Sequence, residues 1–163
     1  MILRAAKTTQ DLQFIHGLTS HPANTPFMGD DDEAGLAVYL ADPACRLMIF
    51  DHNNGPEAFA LFREIGNPSG RVELFRLALA TSGAGQGAAF LKTLIDFAFT
   101  ELGAQRLWLD ASSENPRALK VYERAGFTIE GCLRNHWYRP ALGHSVDLMM
   151  YGMLRDEWLA RRA

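Results

Sequence analysis

Apolar positions along the chain fall into two patterns. Short runs rich in Val, Ile, Leu and Phe, bounded by Gly, Pro, Asn or Ser, predict strands; longer stretches with apolar residues three and four apart predict helices. "MILRAA" is a short strand, and "TTQDLQFIHGL" is a helix with Thr8 or Thr9 as its cap. The polar loop "TSHPANTPFMGDDDEAG" leads into a second short helix, "DDDEAGLAVYLAD", whose carboxylates favour the positive end of the helix dipole. This loop and helix are weakly specified, and we expect them to be mobile or dependent on a ligand. "CRLMIFD", "EAFALFREI" and "RVELFRLALA" follow as three strands separated by the turn sequences "HNNGP" and "GNPSG", an antiparallel meander. "GQGAAFLKTLIDFAFTELG" is a long helix carrying Leu91, Leu94, Ile95, Ala98 and Leu102 on one face, and Gly103 ends it. "QRLWLDA" is the next strand. The helix in "SSENPRALKVYERAG" has Asn115 as cap, Pro116 in its first turn and Gly126 as its stop. Two final strands, "FTIEGCLRNHWYR" and "HSVDLMMYGML", are joined by "PALGH". The order β–α–α–β–β–β–α–β–α–β–β predicts a mixed α/β sheet flanked by helices, with no linker or repeat.

Composition narrows the classes. A chain of 163 residues suits one domain with a real core, here taken as residues 1–163. A net charge of −3 gives no general basic field, so no nucleic-acid or membrane partner is expected. The start lacks the apolar core of a signal peptide, and no stretch approaches the length of a membrane span. Cys45 and Cys132 have no CxxC spacing and read as buried small hydrophobes. None of the five histidines forms a spaced pair on a helix face, so no metal is expected. A cytoplasmic location fits these features.

The stretch "SGAGQGAAF", Ser82–Phe90, lies between a strand and a helix. The first turn of a helix leaves its amides without internal partners, and glycines at 83, 85 and 87 let a phosphate oxygen come close. Backbone and dipole then replace a basic side chain. A glycine turn also serves packing, and the loop alone does not separate the two. The nucleoside-triphosphate loop fails, because no GK pair followed by Ser or Thr is present. Gly83, Gly85 and Ala88 match GxGxxA literally, and Asp110 ends the next strand where a ribose-binding carboxylate belongs. That reading gives an NAD(P)-dependent oxidoreductase, but it needs a mostly parallel sheet with further βα units after Asp110.

From Arg71 to Trp158 the chain resembles the GNAT superfamily of acetyl-CoA-dependent N-acetyltransferases. The family's loop, Gln/Arg-x-x-Gly-x-Gly/Ala, falls on Ser82, Gly83, Ala84, Gly85, Gln86 and Gly87, with Ser82 in place of the usual Gln or Arg. "NPRALKVYERAGF" matches its pattern Asn-x-x-Ala-x-x-x-Tyr-x-x-x-Gly-Phe, one helix and one strand later. The first seventy residues carry little of this resemblance.

The resemblance implies a GNAT-like fold with a mixed, mostly antiparallel central sheet of about six to seven strands. Acceptor-side helices would fall at roughly 8–41 and an acetyl-CoA core at roughly 70–127. It implies acetyl transfer from acetyl-CoA to a primary amine by direct attack in a ternary complex, the acceptor being a small molecule or a peptide N-terminus. It puts Tyr122 near the cofactor sulfur as general acid, and Asn115 on the pantetheine arm. Main-chain groups of Leu77 and Leu79 would bond that arm, and Ser82, Gly83, Ala84, Gly85, Gly87 and Ala88 would hold the diphosphate. Tyr122 also fits a plain core role beside Leu119 and Ala125. Glu73 is the candidate base; period two puts it on the face of Phe75, Leu77 and Leu79, either in a cleft or at an exposed strand end. Arg76, on the opposite face, reads as an ion-pair partner for another strand. Arg134, His136, Trp137, Tyr138 and His144 either line an acceptor pocket or supply a dimer contact. A homodimer and a non-catalytic CoA-binding sensor stay open.

Overall fold

The computed structural model describes residues 2–29, 31–52, 55–81 and 85–162. Its elements run β1 (Ile2–Ala5), α1 (Thr9–Thr19), α2 (Glu33–Ala41), β2 (Arg46–His52), β3 (Gly55–Arg63) and β4 (Arg71–Leu79). They continue as α3 (Gln86–Thr100), β5 (Arg106–Ser112), α4 (Pro116–Ala125), β6 (Thr128–Arg139), β7 (His144–Leu154) and α5 (Arg155–Ala160). One sheet of seven strands has the order β1-β2-β3-β4-β5-β7-β6. Among the described residues only β4 and β5 pair in parallel. A dinucleotide fold, with its largely parallel sheet, is therefore not what this chain builds.

Each face of the sheet carries its own core. Phe90, Leu91, Leu94, Ile95 and Ala98 turn one stripe of α3 against Val72, Leu74, Leu107 and Leu109. On the other face, Leu12 and Ile15 of α1 and Leu36 of α2 cover Leu47, Ile49, Phe59, Leu61 and Ala78. The two faces are distinct because side chains alternate along each strand.

Three departures from the sequence reading have physical causes. First, α5 was not anticipated, since six residues are too few for a periodic signal. It is fixed by single contacts: Trp158 stacks on Phe99 at 5.0 Å and donates its indole N–H to Asp96, 2.8 Å. Second, Cys132 is exposed, because it lies on β6, which forms the sheet edge. Third, strict alternation fails in β4. Leu61 faces Arg76 but Phe62 faces Leu74, so Phe75 is an extra residue, a β-bulge. Past the bulge the register is transposed: Leu77 and Leu79 join the α3 face with Leu74, while Phe75 and Ala78 face α1 and α2. Glu73 therefore does not share a face with Leu77 and Leu79.

The loop between α1 and α2 is tied across the sheet. Arg139 of β6 donates from Nε to the Pro26 carbonyl at 3.1 Å, and from Nη2 to those of Met28 (2.6 Å) and Thr25. Arg76 reaches the same loop and pairs with Asp31, not with another strand.

Asp11 anchors the first helix. Its carboxylate accepts from the Lys7 and Thr8 amides at 2.8 and 3.1 Å, and from Arg4 at 2.9 Å, while Thr8 caps the helix in return. The Arg4 hydrogen bond holds its pKa well below the usual carboxylate range, against the opposing effect of burial. A depressed folded pKa means stability that is full above the unfolded pKa of about 3.9 and is lost as the pH falls further. Asp11→Ala should cost about 2–4 kcal/mol at neutral pH by urea denaturation, since a cap and a buried charge partner go together. The deficit should shrink below about pH 4, as protonation takes the same interaction from the parent protein.

Candidate active site

Strand β4 stays with β5 for three pairs only, Arg71–Arg106, Val72–Leu107 and Glu73–Trp108. Beyond these, β4 remains paired to β3 as far as Leu79, and β5 to β7 as far as Ser112. The bulge at Phe75 sits where the strands part, and bulges bend the strand that carries them. The result is a gap in the sheet whose β4 edge has no strand beside it. The amide of Ala80 donates to the Glu57 carbonyl on the β3 side, 2.7 Å. Alternation then turns the N–H and C=O groups of Leu77 and Leu79 the other way, into the gap.

Helix α3 begins at the end of this strand. Its N-cap is Gly85 at φ +79°, a left-handed conformation that glycine adopts without strain, and no side chain caps it. α1, α2 and α4 are capped by Thr8, Asp32 and Asn115. In α3 the amides of Ala88 and Ala89 both turn back to the Gly85 carbonyl at 3.1 Å. Those of Gln86 and Gly87 have no partner among the described residues. A Cβ built on Gly87 would meet nothing within 4 Å, so packing does not require glycine there. A cavity of roughly 220 Å³ opens at this point, lined by Leu79, Thr81, Gly85, Gln86, His52 and Glu57. Of the residues singled out in the loop, Ser82, Gly83 and Ala84 lie outside the described residues.

α4 borders the gap from the α3 face. Asn115 accepts from the Ala118 amide at 3.2 Å through Oδ1, which leaves its amide nitrogen for another partner. Tyr122 packs between Phe127 and Tyr151, ring centroids at 6.1 and 5.8 Å. Its hydroxyl makes no hydrogen bond among the described residues. Burial first, and the negative charge of Asp110 second, push the phenol well above its ordinary pKa.

The opposite face holds the carboxylates. Glu73 is only 2% exposed and receives Arg63 Nε at 2.7 Å. Burial raises its pKa, and Arg63 offsets part of the rise. It is thus at neither an exposed strand end nor an open cleft. Asp110 alternates with Leu107 and Leu109 and so points away from the α3 core. It stands exposed in the recess, without an ion pair among the described residues, yet enough protein surrounds it to raise its pKa; Arg63 and His136 partly offset that. Its charge is felt at Tyr122 on one side and at Glu73 on the other. The sequence reading weighed Asp110 only as a ribose ligand. Its place near the C-terminal end of a strand, five residues before the Asn115 cap, was the signal for more.

Comparison with known proteins decides the family. The acetyltransferase (GNAT) family matches residues 12–127. The chain belongs to this family. As a GNAT acetyltransferase it takes acetyl-CoA as its acetyl donor. An uncharacterized N-acetyltransferase, p20 of Bacillus licheniformis, is 31% identical over 60% of this chain, which spans only 54% of that protein. The spermidine N(1)-acetyltransferase of Vibrio cholerae is 30% identical over 68% of this chain and 70% of its own length. A crystal structure of spermidine N-acetyltransferase from Vibrio cholerae, in complex with CoA and spermine, superposes with a TM-score of 0.86. It covers 97% of both chains at 23% identity, a likeness of fold. Among the described residues no helix is long and apolar enough to cross a membrane, and no cluster of His, Cys, Asp and Glu could hold a metal.

Gly87 offers a clean test of the helix start. Gly87→Ala should leave the free protein as stable or up to about 1 kcal/mol more stable, because alanine is the better helix former and has room. The same methyl should weaken acetyl-CoA binding about tenfold by standing where a phosphate oxygen would come. Thermal denaturation and isothermal titration read the two effects separately.

Proposed function

We propose that this enzyme transfers the acetyl group of acetyl-CoA directly to a small primary amine bound on the α1–α2 face. The observation that carries this reading is the gap between β4 and β5, with uncapped amides at one end, Tyr122 on one face and Asp110 on the other. The spermidine acetyltransferases among its relatives support a small amine as acceptor. Acetyl-CoA supplies an activated thioester carbonyl. Gln86 and Gly87, with the loop before them, hold its diphosphate through main-chain N–H groups, and the free edge of β4 at Leu77 and Leu79 takes the pantetheine amides.

The chemistry then asks three things of the protein. The acceptor must lose a proton, and Asp110 is the group we assign to take it. Glu73, the base expected from sequence, is closed off and held by Arg63, and the neighbouring Asp110 charge raises its proton affinity further, so it stands behind Asp110 and is not the base. As the nitrogen–carbon bond forms, negative charge develops on the carbonyl oxygen, and the Leu79 amide stabilises it. As the carbon–sulfur bond breaks, Tyr122 gives its proton to sulfur; its raised pKa keeps it protonated at working pH. Asp110 ends with the proton from nitrogen, and exchange with solvent restores both groups.

Detection of released thiol with a panel of primary amines tests the assignment. Tyr122→Phe should lower kcat by about 10²-fold with little change in the KM for acetyl-CoA, and Asp110→Asn should lower kcat/KM by 10²–10⁴-fold. In the parent enzyme, kcat/KM should rise along a limb displaced above the ordinary carboxyl range near 4, because burial raises Asp110, and that limb should vanish in Asp110→Asn. A Tyr122→Phe enzyme at full turnover at every pH would remove the acid from the scheme.

A further inference from the structure

The acceptor face holds one buried cation that no carboxylate neutralises among the described residues. Three carboxylates on this side are engaged by arginines. Glu73 holds Arg63, Asp31 holds Arg76, and Glu64 accepts from Arg71 and from the indole of Trp108 at 2.8 Å. Arg139 stands on the other side of this account. It is 7% exposed, and its hydrogen bonds go only to the three loop carbonyls, with the Trp137 ring 3.8 Å from its guanidinium carbon. No carboxylate pairs with it among the described residues. Neutral carbonyls and an indole orient a guanidinium without cancelling its charge, and an uncompensated buried charge is costly. Arg76 lies close enough for the two cations to repel, and burial together with that repulsion lowers the Arg139 pKa.

The position of these groups ties them to the acceptor. Arg76 is on the bulge that opens the gap, its guanidinium carbon 4.7 Å from the centre of the Phe75 ring, and that of Arg63 sits 3.4 Å from the same centre. Arg139, at the end of β6, holds the loop at Thr25–Met28, and Arg76 of β4 holds it again at Asp31, so the loop passes over the gap. An ammonium group brought under the loop would meet the repulsion of Arg76 and Arg139, whereas a carboxylate would be drawn to both.

Building on the acetyl-transfer reading, we propose that the acceptor is a small amine that also carries a carboxylate, of the amino acid type. Arg139, assisted by Arg76, receives the carboxylate under the Thr25–Met28 loop while Asp110 faces the amine. Arg139 is here a specificity-determining residue, not part of the acetyl transfer. It distinguishes this chain from relatives named for spermidine.

The test is thiol release by the unmodified enzyme with saturating acetyl-CoA. Free α-, β- and γ-amino acids are each compared with their own carboxamides, alongside spermidine and spermine. At least one amino acid should exceed its amide by about tenfold or more in kcat/KM, the range of a charge-assisted hydrogen bond, and should exceed both polyamines. In Arg139→Gln that acid-over-amide ratio should fall below about threefold, while turnover of the amide persists. Because Arg139 also pins the loop, Arg76→Gln serves as the second variant, and there too the ratio should drop, through the acid's KM more than its kcat. Equal turnover of acid and amide, or a polyamine above every amino acid, would overturn this proposal and leave the acetyl-transfer reading standing. Absence of thiol release with every amine would overturn both.

Discussion

One extra residue in β4 organises the rest of the molecule. With Phe75 inserted, β4 keeps its bonds to β3 but turns from β5 after Glu73, and a sheet that would otherwise be closed acquires a gap. A gap in a sheet leaves main-chain donors and acceptors unpaired, which a protein interior does not tolerate unless something else meets them. The same insertion moves Leu77 and Leu79 onto the α3 core and turns Phe75 and Arg76 toward α1 and α2. Local backbone geometry thus sets both the opening and the two different linings on either side of it.

Those linings divide the work electrostatically. On the α3 and α4 side the gap meets free amides at an uncapped helix start and a phenol kept neutral by burial, a setting for an anionic, thioester-bearing cosubstrate. On the α1 and α2 side it meets the ion pairs Arg63–Glu73 and Arg76–Asp31, and among the described residues Asp110 and Arg139 have no ion-pair partner. Asp110 influences Tyr122 from across the sheet, so the groups we propose as proton donor and proton acceptor are electrostatically coupled. Desolvation raises the proton affinity of both, moving the Asp110 carboxyl toward neutrality and keeping the Tyr122 phenol protonated.

Much of this was legible in the sequence, for identifiable reasons. Strong local signals gave α1 to α4 and the strands: Asn115, Pro116 and Gly126 bound α4, and the α3 stripe has the helical period. The glycines at 85 and 87 and the Asn115–Tyr122 helix carried the family resemblance, and both ends of the gap are built on them. Alternation did not reveal the bulge, because Phe75 and Arg76 look like any strand residues; only the pairing with Leu61 and Phe62 exposes the insertion. For the same reason Glu73 looked like an accessible base, whereas Arg63, ten residues earlier, closes it off. Arg139 was invisible as a functional residue, since its partners lie more than a hundred residues away in sequence.

The central claim is that main-chain groups at the free edge of β4 and at the start of α3 hold acetyl-CoA. Backbone amide hydrogen exchange, measured with and without CoA, tests it residue by residue. The account predicts strong new protection at Leu77, Leu79, Gln86 and Gly87, and little at the already bonded amides of Ala78 and Ala80. Saturating CoA that left those four amides exchanging at their unliganded rates would contradict it.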